Sequence, residues 1–140
     1  AECSGPLVVI SADTAISMMA VNAKQELVGG VILPGPQLSL SALVKNTAQL
    51  PQIDLAAKAP ASILGKSTSS CLQNGFVLGT ASLLDGLAER FCAELGPQTA
   101  FYATGNLPIP IREACFTPIL YRETLITDGL YRIWMKNKKG

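Results

Sequence analysis

The sequence contains no histidine. That excludes serine–histidine–aspartate triads, cysteine–histidine pairs and histidine proton relays. Charge is scarce too. Only 15% of the 140 residues are Asp, Glu, Lys or Arg, with 11 basic against 10 acidic. So neutral a chain offers no electrostatic footprint for nucleic acid. The basic tail, Lys136 to Gly140, reads as a solvated helix end beside the negative pole of the dipole. Apolar runs such as Leu27 to Gly35 fall well short of the ~20 residues a membrane-spanning helix needs. No basic segment leads into an apolar stretch at the start, so no signal peptide is expected. Cys3, Cys71, Cys92 and Cys115 are widely spaced and form no C-x-x-C pair, which leaves no local zinc pattern. Cys71 and Cys92 fall in apolar helical stretches and read as small hydrophobes of a reduced, cytoplasmic protein. A P-loop is also missing. Gly65-Lys66-Ser67-Thr68 has its ending, but Pro60 stands where the earlier glycine is required.

Hydrophobic residues make up 49% of the chain, an apolar globular composition whose length suits one domain, residues 1–140, with a real core. The low charge also implies that a partner covers part of the surface. The first residue is Ala rather than Met, so the chain is expected to be a fragment, a processed product or a trimmed piece.

Element signals are distinct. Pro6 to Ala12 is short and β-branched and predicts a buried strand. Ala15 to Asn22 and Leu27 to Leu33 add two more, giving an antiparallel meander. Pro34-Gly35-Pro36 ends it. Ser39 or Ser41 is the expected cap of a helix carrying Leu40, Leu43, Val44 and Leu50. Pro51 to Ser70 reads as a connecting loop with room for one short strand. A long helix is predicted over Ser69 to Leu95, with Leu72, Phe76, Leu83, Leu84, Leu87, Phe91 and Leu95 on its stripe. Gly75, Gly79 and Gly86 each cost about 1 kcal/mol in an exposed helix, so close approach of another helix is expected there, across a dimer interface. Gly96-Pro97 ends this helix. A strand ending in Ala103-Thr104-Gly105-Asn106, a short helix opened by Pro108 or Pro110, a strand and an amphipathic helix complete the order β-β-β-α-α-β-α-β-α. In that last helix Leu130, Ile133 and Trp134 are expected on the buried face. Leu40, Phe76, Leu83, Phe91 and Trp134 are core candidates. The class is α/β, with an antiparallel start and parallel additions.

What could carry chemistry is a set of small, polar turns at strand ends: Ser11 to Ala15, Leu33 to Pro36, Gly65 to Thr68 and Ala103 to Asn106. Ligands of open α/β sheets sit at such ends. Each turn alone is weak evidence, but their order is specific. Leu27-Val28-Gly29-Gly30-Val31-Ile32-Leu33-Pro34-Gly35 resembles the Y-L-G-G-x-I-x-P-G motif that follows a D-x-G-T-A hairpin in the type III pantothenate kinases, the family that includes the Bvg accessory factors. The Leu38 to Pro51 helix, the G-K-[ST]-T loop, the Leu72 to Leu87 helix, an A-T-G-G-like turn and the closing helix follow in the same order, over Pro6 to Asn137.

The resemblance implies the C-terminal half of that family, a ribonuclease-H-like half-domain of the actin-like ATPase fold. The family's D-x-G-N-T loop, with its catalytic Asp, and its G-x-D-R motif are not in these residues. No catalytic residue or metal ligand is therefore assigned here. The resemblance implies ATP, Mg²⁺ and a monovalent cation as cofactors, pantothenate as substrate, a missing N-terminal half and a second copy as partners. It makes Ser11, Asp13, Thr14 and Ala15 phosphate-binding. Gly29, Gly30, Pro34, Gly35, Thr104, Gly105 and Asn106 become adenosine-binding, and Thr68 lies by the pantothenate pocket. The hairpin departs from the pattern. Ser11 stands where the family has Asp, and Asp13 where it has Gly. Residues two apart on a strand are about 6.6 Å apart, so Asp13 does not replace a carboxylate at Ser11. A carboxylate at 13 repels phosphate unless a metal bridges them. Two functions follow: half of an ATP-dependent pantothenate kinase, inactive alone, or a binding module of the same fold that has lost catalysis.

Overall fold

A computed structural model describes residues 4–47 and 49–138. Cys3, Ala48 and the last two residues of the basic tail lie outside the described residues.

Three strands open the chain: β1 (Leu7–Ala12), β2 (Ala15–Val21) and β3 (Leu27–Pro34). They form the expected antiparallel meander, with Ala12 opposite Ile16 and Ala15 opposite Pro34. Two helices follow, α1 (Pro36–Lys45) and α2 (Thr68–Leu95), then β4 (Ala100–Gly105), α3 (Ile109–Ala114), β5 (Ile119–Tyr121) and α4 (Leu125–Asn137). The five strands make one sheet in the order β3-β2-β1-β4-β5, with β4 parallel to both β1 and β5. The predicted order of elements holds throughout.

Burial alternates along β1 and β2 because side chains alternate across a sheet. Val8, Ile10, Ile16 and Met18 are buried, while Leu7, Val9, Ser17 and Met19 between them are half-buried. One face of β1 is therefore core, whereas its unbroken apolar run predicted burial of the whole strand. Against that face packs a stripe of α2 at spacings of three and four: Val77, Ala81, Leu84 and Ala88. Small residues at 81 and 88 let the helix lie close to the sheet. Leu83, expected in the core, is exposed, and Phe76 and Phe91 are only half-buried. The predicted stripe followed the large residues and lies to one side of the observed one.

Helix α2 starts on a reciprocal cap. Ser67 Oγ accepts the Ser70 N–H at 3.2 Å and Ser70 Oγ accepts the Ser67 N–H at 2.9 Å. The helix ends at Gly96, whose φ of +111° is a left-handed value suited to glycine. A Cβ at Gly75, Gly79 or Gly86 would meet no atom within 4 Å. Among the described residues nothing uses the close approach those glycines permit. Helix α1 begins earlier than expected. Gly35 is its N-cap and Pro36 its first residue, where a proline loses no bond; neither Ser39 nor Ser41 caps it. Helix α4 contradicts its predicted packing outright. None of its residues is buried, and Leu130, Ile133 and Trp134 are all more than half exposed.

Leu84 lies on both the predicted and the observed stripe and Leu83 on the predicted one alone, so two substitutions test the observed face. Leu84→Ala, at a site with no exposure, is expected to cost about 2–5 kcal/mol, read by urea denaturation. Leu83→Ala is expected to cost under ~1 kcal/mol.

Candidate functional site

Parallel pairing brings two strand ends side by side. Ser11 is opposite Thr104 and Ala12 is opposite Gly105. On the other side of the hairpin, Ala15 pairs with the last residue of β3. The loops after β1, β3 and β4 therefore share one edge of the sheet. Two backbone bonds tie them together: the Gly35 N–H donates to Thr14 O at 2.8 Å, and the Asn106 N–H to Ala12 O. Glycine is required at both joints. A Cβ on Gly35 would strike the Asp13 and Thr14 carbonyls, and one on Gly105, at φ +86°, would strike Ala12 O. The Gly105 carbonyl accepts the Tyr121 hydroxyl at 2.6 Å. The Arg112 guanidinium sits 4.0 Å over that tyrosine ring, a cation–π contact that braces the turn.

Between these loops lies a cavity of about 450 Å³. Asp13, Thr14, Asn106 and Pro108 line one side, and the first turn of α1 and Asp54 line the other. No side chain caps α1, and its first internal bond runs from Ser39 N–H to Gly35 O. The N–H groups of Gln37 and Leu38 precede that bond and sit at the cavity, at the positive end of the helix dipole. An anion is favoured by that helix end and disfavoured by the carboxylates of Asp13 and Asp54. A divalent cation between carboxylate and phosphate reverses the second effect. Among the described residues no group of three His, Cys, Asp or Glu is placed to hold a metal alone. The carboxylates present fit a cation that takes the rest of its oxygens from a phosphate. A neighbouring cavity of about 290 Å³ shares Gln37 and Ser41 and adds Lys45.

Comparison with known proteins gives the chain a family. The type III pantothenate kinase family model matches residues 1–90. The chain belongs to the type III pantothenate kinase family. The type III pantothenate kinase of Koribacter versatilis is 38% identical over 97% of this chain and 49% of that protein. That of Solibacter usitatus is 35% identical over 95% of this chain and 50% of that protein. The chain thus spans about half the length of the curated relatives it matches. A crystal structure described as a Baf family transcriptional activator from Campylobacter jejuni shares the fold, at TM-score 0.67 and 20% identity over 98% of this chain and 60% of that one.

Of the residues the family pattern singles out, Asp13, Thr14 and Asn106 meet at the cavity, with Gly35 and Gly105 shaping its walls. Ser11 is a half-buried strand residue, and Ala15 and Pro34 close the hairpin beside the cavity without lining it. Thr104 is buried, and its hydroxyl donates to Glu123 O at 3.3 Å, so it supports the turn from behind. Gly29 and Gly30 pair with Ala20 and Met19, four to five residues back along β3 from Pro34, or about 13–16 Å at strand rise. A Cβ on Gly30 would strike Met18 O and the Met19 sulfur, which is a packing reason for that glycine. Thr68 is the exposed first residue of α2 and does not line this cavity. The Asp13 N–H, a donor expected for phosphate, donates to Ala15 O at 2.9 Å. Gln37, Leu38, Ser41 and Asp54 line the cavity but were not among the site residues expected from the sequence, where Ser41 was a candidate helix cap. Gly35-Pro36, read as the N-cap and first position of α1, is the signal that would have found the first two.

A larger cavity, about 960 Å³, opens at the opposite end of β4, where Ala100, Phe101, Phe116 and Leu120 line it. There the Asp85 carboxylate accepts the Phe116 and Thr117 N–H groups at 2.9 and 2.8 Å, fixing α2 to the segment before β5. Burial, and then the Asp85 charge, push the Cys115 thiol from 9.0 up to about 12. Cys71 is exposed rather than packed as a hydrophobe. At pH 8 Cys71 is expected to alkylate with iodoacetamide at least about tenfold faster than Cys115, because the thiolate is the nucleophile; peptide mass mapping reads the rates. Unfolding releases Cys115 to its ordinary pKa. Its contribution to stability is therefore full below pH 9 and is lost as pH rises towards 12.

Proposed function

We propose that this chain is the C-terminal half of an ATP-dependent pantothenate kinase and supplies one wall of its ATP site. One observation carries the reading: the loops after β1, β3 and β4 and the N-terminus of α1 converge on a single cavity, in a chain of this family. In this reading the sheet is a ribonuclease-H-like half of an actin-like ATPase. The 3-2-1-4-5 strand order, antiparallel at one side and parallel at the other, supports that. Residues 1–140 act as one domain, in the cytoplasm.

The reaction moves the γ-phosphoryl group of ATP to an alcohol. The hydroxyl oxygen of pantothenate bonds to the γ-phosphorus, and the bond from that phosphorus to the β–γ bridging oxygen breaks, leaving ADP. The hydroxyl proton goes to a carboxylate on the other half, since among the described residues the carboxylates at the cavity, Asp13 and Asp54, are not in the position of the family's catalytic Asp. Such chemistry depends on positioning and charge neutralisation. Here the α1 N-terminus and the Thr14 hydroxyl attract and orient phosphate oxygens. Gly105 and Asn106 turn the backbone close to the nucleotide, and Thr104 holds that turn. Mg²⁺, when bound, neutralises phosphate charge beside Asp13 and Asp54, and a monovalent cation is expected to help. Thr68 belongs to the pantothenate side, completed by the other half. Gly75, Gly79 and Gly86, open on the surface of α2, support packing against a second copy.

A second reading has its own observation. Asp13 replaces the glycine of the hairpin motif, and its N–H is taken by Ala15 O. That favours a module that keeps the fold but has lost catalysis.

Co-expression with the N-terminal half of the Koribacter versatilis relative tests the first reading. ATP-dependent phosphorylation of pantothenate is expected from the pair and not from this chain alone; a pair with no turnover sinks it. Asp13→Gly is expected to tighten binding of metal-free ATP by about tenfold, removing ~1.4 kcal/mol of like-charge contact, measured by calorimetry on this chain.

A further inference from the structure

Helix α4 is amphipathic in the opposite sense to its own domain. Ile126, Leu130, Ile133 and Trp134 fall at i, i+4, i+7 and i+8, which is one stripe of a helix. They are 57, 62, 59 and 54% exposed. The half-buried positions of α4 are Leu125, Gly129 and Met135, which lie round the other side. Among the described residues α4 makes no extensive contact with another element. So the apolar stripe points away from the chain. A thirteen-residue helix is marginal in water without a packed face, and a contiguous exposed apolar stripe marks a surface that something covers.

Two observations say what covers it. First, α4 is not an incidental tail: the Koribacter versatilis match covers 97% of this chain, and so nearly all of α4, but only 49% of that protein. A segment as long as this chain is unaccounted for. Second, α4 is tethered to the cavity. Just before it, Glu123 O accepts the Thr104 hydroxyl, the Arg122 N–H donates to Ala103 O at 2.8 Å, and the Tyr121 hydroxyl holds Gly105. A body seated on the stripe sits beside the strand ends where the second phosphate wall is needed. The reading above gives a second copy a different surface, the α2 glycines, where a Cβ would meet no atom within 4 Å.

We propose that the Ile126–Trp134 stripe of α4 is the docking surface for the other half of the kinase, so that this helix joins the two halves rather than completing its own. This rests on the half-kinase reading. Trp134 is the only tryptophan of the chain, so its fluorescence reports on the stripe directly. Co-expression with the N-terminal half of the Koribacter versatilis relative is expected to yield a co-purifying pair in which Trp134 emission is blue-shifted and protected from acrylamide. In the double variant Leu130→Glu, Ile133→Glu, association is expected to weaken by more than about 100-fold, while the melting temperature of the chain alone stays unchanged. Absence of pairing, or pairing with Trp134 emission unmoved, overturns the proposal. So does a lowered melting temperature of the lone variant, which means the stripe packs on its own chain. Self-association of the lone wild-type chain that the variant abolishes overturns it in favour of a second copy. An equal blue shift on phosphatidylserine vesicles overturns it in favour of a membrane surface. A pair formed through the stripe that does not phosphorylate pantothenate leaves this inference standing and sinks the kinase reading. Turnover with Trp134 unmoved does the reverse.

Discussion

The carbonyl of Ala12 is the point on which the site depends. It ends β1, accepts the Asn106 N–H, and lies so close to Gly105 that no side chain fits between them. Because β1 and β4 run parallel and in register there, that one oxygen brings the hairpin and the Gly105 turn within reach of a single ligand. Gly35 does the same on the other flank through Thr14 O. The cavity is therefore built by backbone, with glycine at each joint, and side chains decorate it. This explains why the turns look unremarkable one at a time in the sequence. Their chemistry lies in the N–H and C=O groups they bring together.

The same arrangement governs the electrostatics. A helix N-terminus and two carboxylates face one space, so the helix end favours an anion there and the carboxylates disfavour it unless a cation lies between. Asp13 adds charge where the family pattern has none, while its own N–H is withdrawn into the hairpin. Both readings of function start from this position, and they differ in whether a cation sits between Asp13 and the phosphates.

Most of the fold was legible because the signals were local. Strand periodicity, Gly96 and the order of nine elements could be read without knowing what packs on what. The misreadings share one cause. Leu83 and Trp134 were taken as core because they are large and periodic. Yet the buried side of α2 is set by small residues, Ala81 and Ala88, which let the helix approach the sheet. In α4 the apolar side faces out. Periodicity tells which residues share a face and is silent on whether that face meets its own chain. The site was legible in part. Asp13, Thr14, Asn106, Gly35 and Gly105 came from the motif order, whereas Asp54 comes from a segment without periodicity, and no sequence pattern puts it on the same cavity as Asp13. Gly30 belongs to the motif as a packing glycine and Gly29 as one with a φ of +138°, both at the far part of β3 from the cavity.

The parallel pairing of β1 with β4 also sets an order of events. The β1–β3 meander closes through short turns, but Ser11 meets Thr104 only after the chain between them, some ninety residues, has been drawn in. Contacts of such separation carry the largest loop-closure cost and form late. The hairpin that carries Thr14 can exist in a partly folded chain; the cavity cannot. Any ligand held by this cavity recognises only molecules whose sheet is complete, and so draws the folding equilibrium towards them.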